Sequence, residues 1–109
     1  MKLLFVELST YSKARSSLFS DEEQNDLEEQ LLKQPRKGEV VEGTGGLRKL
    51  RYAQKSKHKG KRSGARVIYY FDEPETIYFI YAYPKGQKDD LTVQEKKVFR
   101  SVIQIIKRS

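Results

Sequence analysis

The hydrophobic positions of the chain follow strand spacing in some segments and helical spacing in others. Short runs rich in β-branched and aromatic residues predict strands, and apolar residues three or four positions apart predict helices. The predicted strands are Leu3 to Glu7, Leu47 to Ala53, Ala65 to Phe71 and Ile77 to Tyr83. The predicted helices are Thr10 to Leu18, a helix between Ser20 and Pro35, and a last helix from Thr92. The order is therefore strand, helix, helix, strand, strand, strand, helix.

Two of the predicted helices begin with a capping signal. Ser20 is followed three residues later by Glu23, and Thr92 by Glu95, so each pair can form a capping box. The last helix has an apolar face, which we expect to pack on the protein's own sheet. We interpret Arg36 to Gly46 as a loop and the segment DEPE after Phe71 as a hairpin turn.

These elements predict an α+β fold with a small, mainly antiparallel, twisted sheet and helices packed on one side of it. The two strands richest in aromatic residues have bulky side chains on both faces, so we expect them to be central. With 109 residues, the chain is expected to form a single domain over residues 1–109.

Composition narrows the choice of partner. The net charge is +7, which favours a polyanionic partner such as nucleic acid or the ribosome. The chain has no cysteine, so disulfides and thiolate metal sites are excluded, and a reducing cytoplasm fits. No apolar run approaches the ~20 residues of a membrane span. We expect no cofactor, no metal, no membrane contact and a cytoplasmic location.

Nine of the 22 Lys and Arg residues lie between Arg48 and Arg66, with no acidic residue among them. Predicted strands frame this basic block, so it should form a positive patch on a folded sheet, with RNA as the first candidate ligand. Alternation places Lys49 and Arg51 on one strand face, about 7 Å apart, close to the spacing of successive phosphates. Ordinary surface charge on an open sheet face explains this pair equally well.

Arg66 is the one charged residue in its predicted strand. An unpaired arginine in a core is costly, so Arg66 should emerge at a rim or an open face. The polar loop Gln54 to Gly64 precedes this strand and should act through long-range charge. The predicted RNA- or ribosome-binding residues are Arg48, Lys55, Lys57, Lys59, Lys61, Arg62 and Lys88.

Three segments in order, GTGGLRKLR, GKRSGARVIYYF and IYAYPKGQKDDLT, closely resemble the RelE/HigB superfamily of bacterial toxin–antitoxin toxins, most of all its host-inhibition HigB branch. The resemblance covers most of the chain and implies a RelE-like fold. It implies a ribosome-dependent endoribonuclease that cleaves mRNA in the ribosomal A site and inhibits translation. It also implies a cognate antitoxin, often with a helix-turn-helix domain, through which alone operator DNA would be contacted.

The resemblance also implies which residues are catalytic. The family's basic, open sheet face matches Lys49, Arg51, Arg66, Tyr83 and Lys85. The chain departs from some members at Gly86, where they have Arg, and at Thr92, where they have a catalytic Tyr. The residue that moves the proton is therefore left open. A metal-free reaction is expected, because RNA supplies its own 2′-OH nucleophile and the protein needs to align it and stabilise charge.

Two other functions use the same patch. A non-catalytic RNA- or ribosome-binding module would bind message without cutting it. A repressor subunit acting only on operator DNA with its antitoxin is disfavoured, because the sequence shows no recognition helix of its own.

Overall fold

The computed structural model describes residues 2–53, 64–88 and 90–109. Its elements are β1 (Leu4–Glu7), α1 (Ser9–Arg15), α2 (Asp21–Lys33), β2 (Glu39–Val40), β3 (Leu47–Ala53), β4 (Gly64–Asp72), β5 (Thr76–Pro84) and α3 (Val93–Arg108). Every predicted strand and helix is present, with ends shifted by a few residues. Within the described ranges no helix has the length and apolarity needed to cross a membrane.

The segment predicted as a loop from Arg36 to Gly46 contains a strand, β2, that was not predicted. Its residues Glu39 and Val40 pair antiparallel with Lys49 and Arg48 of β3. Two residues are too few for any alternation to be read from the sequence. Most of the predicted loop Gln54 to Gly64 lies outside the described residues, and Gly64 itself is the first residue of β4.

The strands form one mixed sheet in the order β1-β5-β4-β3-β2. β1 runs parallel to β5, and the other neighbours are antiparallel. The central position of β4 and β5 agrees with their aromatic composition, and the α+β fold class is confirmed. A bulge interrupts the β4–β5 register between Ile68 and Tyr69. The carbonyl of Ile80 accepts a hydrogen bond there from the Thr10 hydroxyl.

The helices cover both faces of the sheet, so the prediction that they pack on one side was wrong. Val67, Tyr69 and Phe71 of β4 belong to a core with α1 and α2. Ile68 and Tyr70 belong to a second core with Phe99 and Ile103 of α3. Neighbouring strand residues point to opposite faces. A strand that is apolar on both faces therefore needs cover on both.

Aromatic contacts dominate each core. On the α1 side the Tyr11 ring stacks on Phe79 with centroids 4.8 Å apart, and its buried hydroxyl donates to Gln24 Oε1 at 2.7 Å. On the α3 side Phe99 packs against Tyr81 at 5.7 Å. The predicted face of α3 therefore rests on the protein's own sheet.

Both predicted capping boxes are confirmed. The Ser20 hydroxyl accepts from Glu23 N at 3.1 Å, and the Glu23 carboxylate accepts from Ser20 N at 2.9 Å. At α3 the Thr92 hydroxyl accepts from Glu95 N at 3.0 Å, and Glu95 accepts from Thr92 N at 2.8 Å. The chain entry into α3 is thereby fixed next to the end of β5.

Tyr69 ties the segment between α2 and β2 to the centre of the sheet. Its buried hydroxyl donates to the Pro35 carbonyl at 2.8 Å and accepts from Gly38 N at 2.9 Å. A β-carbon at Gly38 would lie 2.8 Å from Tyr69 Cε1, so only glycine lets the backbone approach this closely. The tie holds β2 beside β3.

We expect Tyr69→Phe to lower the free energy of unfolding by about 1–3 kcal/mol, because it leaves Gly38 N–H and the Pro35 carbonyl without their partner. Urea denaturation of purified protein measures this. Tyr78→Phe is the control: Tyr78 is half-buried, and its hydroxyl has no hydrogen-bond partner among the described residues. Equal losses in the two variants would contradict the role given to Tyr69.

Candidate nucleic-acid interface

A row of three side chains crosses the sheet on the face that α3 covers only in part. Arg51 of β3 pairs with Arg66 of β4, and Arg66 pairs with Tyr83 of β5. Directly paired residues share a face, with β-carbons about 4.5–5.5 Å apart. We call Arg51, Arg66 and Tyr83 the cross-strand row. Three different strands thus hold two guanidinium groups and a phenol side by side.

The next row marks where the cover of α3 begins. Lys49 pairs with Ile68, and Ile68 with Tyr81. Ile68 is fully buried, whereas Lys49 keeps 28% of its side chain exposed. The predicted placement of Lys49 and Arg51 on one face agrees with this arrangement. The open part of the face is therefore basic and the covered part apolar.

Neither arginine of the cross-strand row has an ion-pair or hydrogen-bond partner among the residues that the structure describes. Arg51 is exposed and Arg66 is half-buried. A groove of about 350 Å³ runs beside them at the edge of β3, lined by Lys37, Glu39, Lys49, Leu50, Arg51 and Arg66. Guanidinium groups available in this way can bind a phosphate through two parallel hydrogen bonds.

Tyr83 differs from its two neighbours because it is buried. It is 1% exposed, and its hydroxyl has no hydrogen-bond partner in the described part of the chain. Burial raises the pKa of Tyr83, the charge of Asp90 raises it further, and Arg66 lowers it. The net shift is upward from 10.0. The phenol is therefore protonated at neutral pH and can donate a hydrogen bond.

Lys88 lies over the aromatic part of this face. Its Nζ is 5.2 Å from the Tyr81 ring centroid and 5.1 Å from that of Tyr83, within cation–π range. The same ammonium pairs with Glu95 Oε2 at 2.5 Å. Burial raises the pKa of Glu95, but the hydrogen bonds from Lys88 and Thr92 outweigh it and lower that pKa overall. Glu95 thus links the start of α3 to the site.

A second acidic residue joins β3 to α3. Asp90 accepts from Leu91 N at 2.7 Å, and its two oxygens pair with Lys49 Nζ at 3.4 Å and Lys96 Nζ at 3.6 Å. We call Lys49, Asp90 and Lys96 the lysine–aspartate bridge. Burial raises the pKa of Asp90, but the Leu91 N–H and the two lysines lower it overall. Asp90 is therefore ionised at neutral pH.

Two predicted site residues lie apart from the cross-strand row. Lys85 is exposed just beyond β5, and its Cδ lies 3.8 Å from the position a β-carbon would take at Gly64. Arg48 is on the opposite face, and its guanidinium donates to the carbonyls of Gly38 at 2.7 Å and Arg36 at 3.2 Å. Backbone carbonyls therefore engage this group in the structure, and the RNA-binding role of Arg48 stays a prediction.

Five predicted binding residues lie outside the described part of the chain: Lys55, Lys57, Lys59, Lys61 and Arg62. Their roles stay predictions. Among the described residues, no group of three or more His, Asp or Glu side chains is placed to hold a metal ion.

Sequence reasoning did not identify Tyr81, Asp90 and Lys96 as site residues. Helical spacing puts Lys96 off the apolar face of α3. Its position next to β3 depends on the direction in which α3 crosses the sheet, for which the sequence has no signal. The capping box at Thr92, which predicts where the last helix begins, came closest to indicating the position of Lys96.

The small α+β fold presents a cationic sheet face, and such a face is suited to binding a polyanion. The chain belongs to the RelE toxin family: it matches the family described as "RelE toxin of RelE / RelB toxin-antitoxin system" over residues 30–108. The matched region includes every described residue of the cross-strand row and the lysine–aspartate bridge. The resemblance to the RelE/HigB superfamily is thereby confirmed, and the protein is a toxin of the kind that pairs with an antitoxin.

The pair formed by Glu95 and Lys88 should make stability depend on pH. The pKa of Glu95 in the folded protein is below its ordinary value of 4.5, so the ionised group stabilises the fold above that pH. The stabilisation is lost as the pH falls through the folded-state pKa. Glu95→Gln should therefore lower the free energy of unfolding at pH 7 by at most about 1 kcal/mol, and the difference should shrink below pH 4.5.

Urea denaturation at a series of pH values measures this difference. Glutamine keeps the acceptor for Thr92 N and so preserves the capping box. Glu29→Gln, on the exposed face of α2, controls for the change in net charge. A Glu95→Gln difference that stays constant with pH would contradict the pairing.

Proposed function

We propose that the protein is a ribosome-dependent endoribonuclease that cleaves mRNA in the ribosomal A site and so inhibits translation. One observation supports this most directly: the cross-strand row sets two guanidinium groups without described partners on an open sheet face, beside a buried and protonated phenol. RelE family membership supplies the context for the reaction class.

The proposed reaction uses the 2′-OH of the RNA. The 2′ oxygen attacks the adjacent phosphorus, the bond from phosphorus to the 5′ oxygen breaks, and the proton lost from the 2′-OH is balanced by one gained at the 5′ oxygen. The products are a 2′,3′-cyclic phosphate and a 5′-OH. Because the nucleophile belongs to the substrate, the protein's contribution is alignment and stabilisation of developing charge.

In this proposal Arg66 binds the scissile phosphate through two hydrogen bonds, and Arg51 stabilises the same phosphate from the neighbouring strand. Tyr83 donates a hydrogen bond and does not act as a base, because burial keeps its phenol protonated. Lys49 binds the RNA backbone beside this site. Lys85 contributes charge from the rim of β5.

The ribosome is proposed to supply the alignment of the message. The groove beside β3 offers charge with few groups that could fix one RNA conformation, so free RNA would be bound but poorly aligned. Lys88 and the basic residues outside the described ranges are proposed to contact ribosomal RNA. This proposal places the protein's action in the cytoplasm.

The antitoxin is proposed to carry a helix-turn-helix domain and to be the sole contact with operator DNA. Membership of the host-inhibition HigB branch stays a prediction of the sequence. A single RelE-like domain over residues 1–109 is likewise proposed.

The buried hydroxyl of Tyr83 favours a second candidate, a non-catalytic RNA- or ribosome-binding module. A phenol that RNA cannot reach contributes no chemistry, and the basic face alone would then serve binding. A purified translation system separates the two functions. The first predicts message cut at the A-site codon when ribosomes are present, and the second predicts intact message. Rapid cutting of naked mRNA would contradict ribosome dependence.

We expect Arg66→Ala to slow cleavage on programmed ribosomes about 100- to 1000-fold, the usual effect of losing one charge contact in a preorganised site. Arg66→Lys should lose most of the activity too, because it keeps the charge without the planar guanidinium. Single-turnover cleavage rates measure both effects. Arg100→Ala, on the exposed side of α3, is the matched control. A fully active Arg66→Ala variant would exclude this face as the active site.

Tyr83→Phe should slow the same step about 100-fold or more if the phenol donates a proton or hydrogen bond in the reaction. The fold should be as stable as the wild type or more so, because a buried hydroxyl without a partner is removed. Single-turnover rates and thermal unfolding test the two statements together. Tyr81→Phe, which removes the hydroxyl of the neighbouring tyrosine, is the control. Unchanged cleavage would contradict a role for the Tyr83 phenol in the reaction.

A further inference from the structure

The lysine–aspartate bridge has the composition of an occupied anion site. One carboxylate lies between two ammonium groups that come from different elements, Lys49 from β3 and Lys96 from α3, at 3.4 and 3.6 Å. Each lysine contacts a different oxygen of Asp90. A phosphodiester also presents two oxygens that share one negative charge. The same pair of lysines can therefore receive either group.

The bridge is open enough for this exchange. The side chains of Lys49, Lys96 and Asp90 are 28%, 33% and 48% exposed. Water therefore screens the pairing, and such partly exposed ion pairs are weak. Asp90 can move into solvent without losing a buried position.

The position of the bridge relates it to the cross-strand row. Lys49 and Arg51 share a face of β3 and are two residues apart, about 7 Å along the strand. Arg51 and Arg66 are adjacent on neighbouring strands. A nucleic-acid backbone that places one phosphate at the two arginines can place the next one at Lys49 and Lys96.

We propose that Lys49 and Lys96 form a second phosphate subsite, for the RNA phosphodiester next to the one held by Arg51 and Arg66, and that Asp90 occupies this subsite in the free protein. Lys96 is then a further RNA-binding residue, contributed by the helix that covers the sheet. That Arg51 and Arg66 hold the scissile phosphate rests on the proposed function, but the binding of an anion by Lys49 and Lys96 does not.

One consequence is competition between Asp90 and RNA. The carboxylate must leave the two lysines before a phosphate can take its place, so Asp90 lowers the affinity of the free protein for RNA. Removing its charge should raise that affinity, and the gain should be smaller when only one of the two lysines remains.

A double-mutant cycle on the full chain tests this coupling. The probe is a 2′-O-methyl RNA oligonucleotide, which lacks the nucleophile and cannot be cut by 2′-OH attack. Asp90→Asn keeps the shape and the acceptor for Leu91 N but removes the charge. Lys96→Gln removes the second ammonium. Glu29→Gln and Lys97→Gln, both at exposed positions, make the same changes in net charge away from the bridge.

We expect Asp90→Asn to bind the oligonucleotide more tightly than Glu29→Gln, by about fivefold at low salt, where phosphate contacts contribute most to affinity. Lys96→Gln should bind more weakly than Lys97→Gln. Its plot of log affinity against log salt should be shallower by about 0.7, the value for one lost phosphate contact on a single strand. In the Lys96→Gln background the gain from Asp90→Asn should be smaller, because only Lys49 is then left to bind the phosphate.

Additive effects of Asp90→Asn and Lys96→Gln on oligonucleotide binding would overturn the proposal. So would an Asp90→Asn variant that binds the oligonucleotide no more tightly than Glu29→Gln. Thermal unfolding shows whether each variant is folded. If Lys96→Gln is unstable, the same double-mutant cycle can be made with Lys49→Gln, which removes the lysine of β3. Binding is measured without cleavage. A protein that never cuts mRNA but shows the coupling would therefore refute the nuclease function and leave the subsite intact.

Discussion

The need to bury apolar side chains on both faces of β4 is the constraint on which the rest of the structure depends. Val67, Tyr69 and Phe71 are covered by α1 and α2, while Ile68 and Tyr70 require α3 on the other side. Arg66 follows the same alternation but cannot be buried unpaired at acceptable cost. The cover of α3 therefore ends before Arg66, and the site occupies the uncovered end of the sheet.

The lysines and arginines at this end of the sheet differ in whether a carboxylate pairs with them. Lys49, Lys88 and Lys96 each pair with a carboxylate from the segment that enters α3. Arg51 and Arg66 have no such partner among the described residues. Among these five residues, the positive charge of the two arginines is therefore the least neutralised, and a polyanion would be drawn to them. The two carboxylates therefore help to decide where on this face the positive charge is left uncompensated.

Local signals in the sequence predicted the capping boxes, the strands and the alternation that separates Lys49 and Arg51 from Leu50. They also predicted that Arg66 must emerge from its strand. Two features had no local signal: β2, which is too short to show alternation, and the face covered by α3, since β4 is apolar on both faces. A count of basic residues also ignores which face each one occupies, so it could not show that Arg48 lies on the opposite face from Lys49 and Arg51.

The pairing of β1 with β5 has a consequence for how the protein is made. Leu4 pairs with Thr76 and Glu7 with Phe79, so the first strand of the chain finds its place only after the fifth has been synthesised. Contacts between such distant segments slow folding. The cross-strand row likewise needs residues as far as Tyr83, and the lysine–aspartate bridge needs Lys96. A nascent chain still attached to its ribosome therefore lacks a complete site until nearly the whole sequence has emerged.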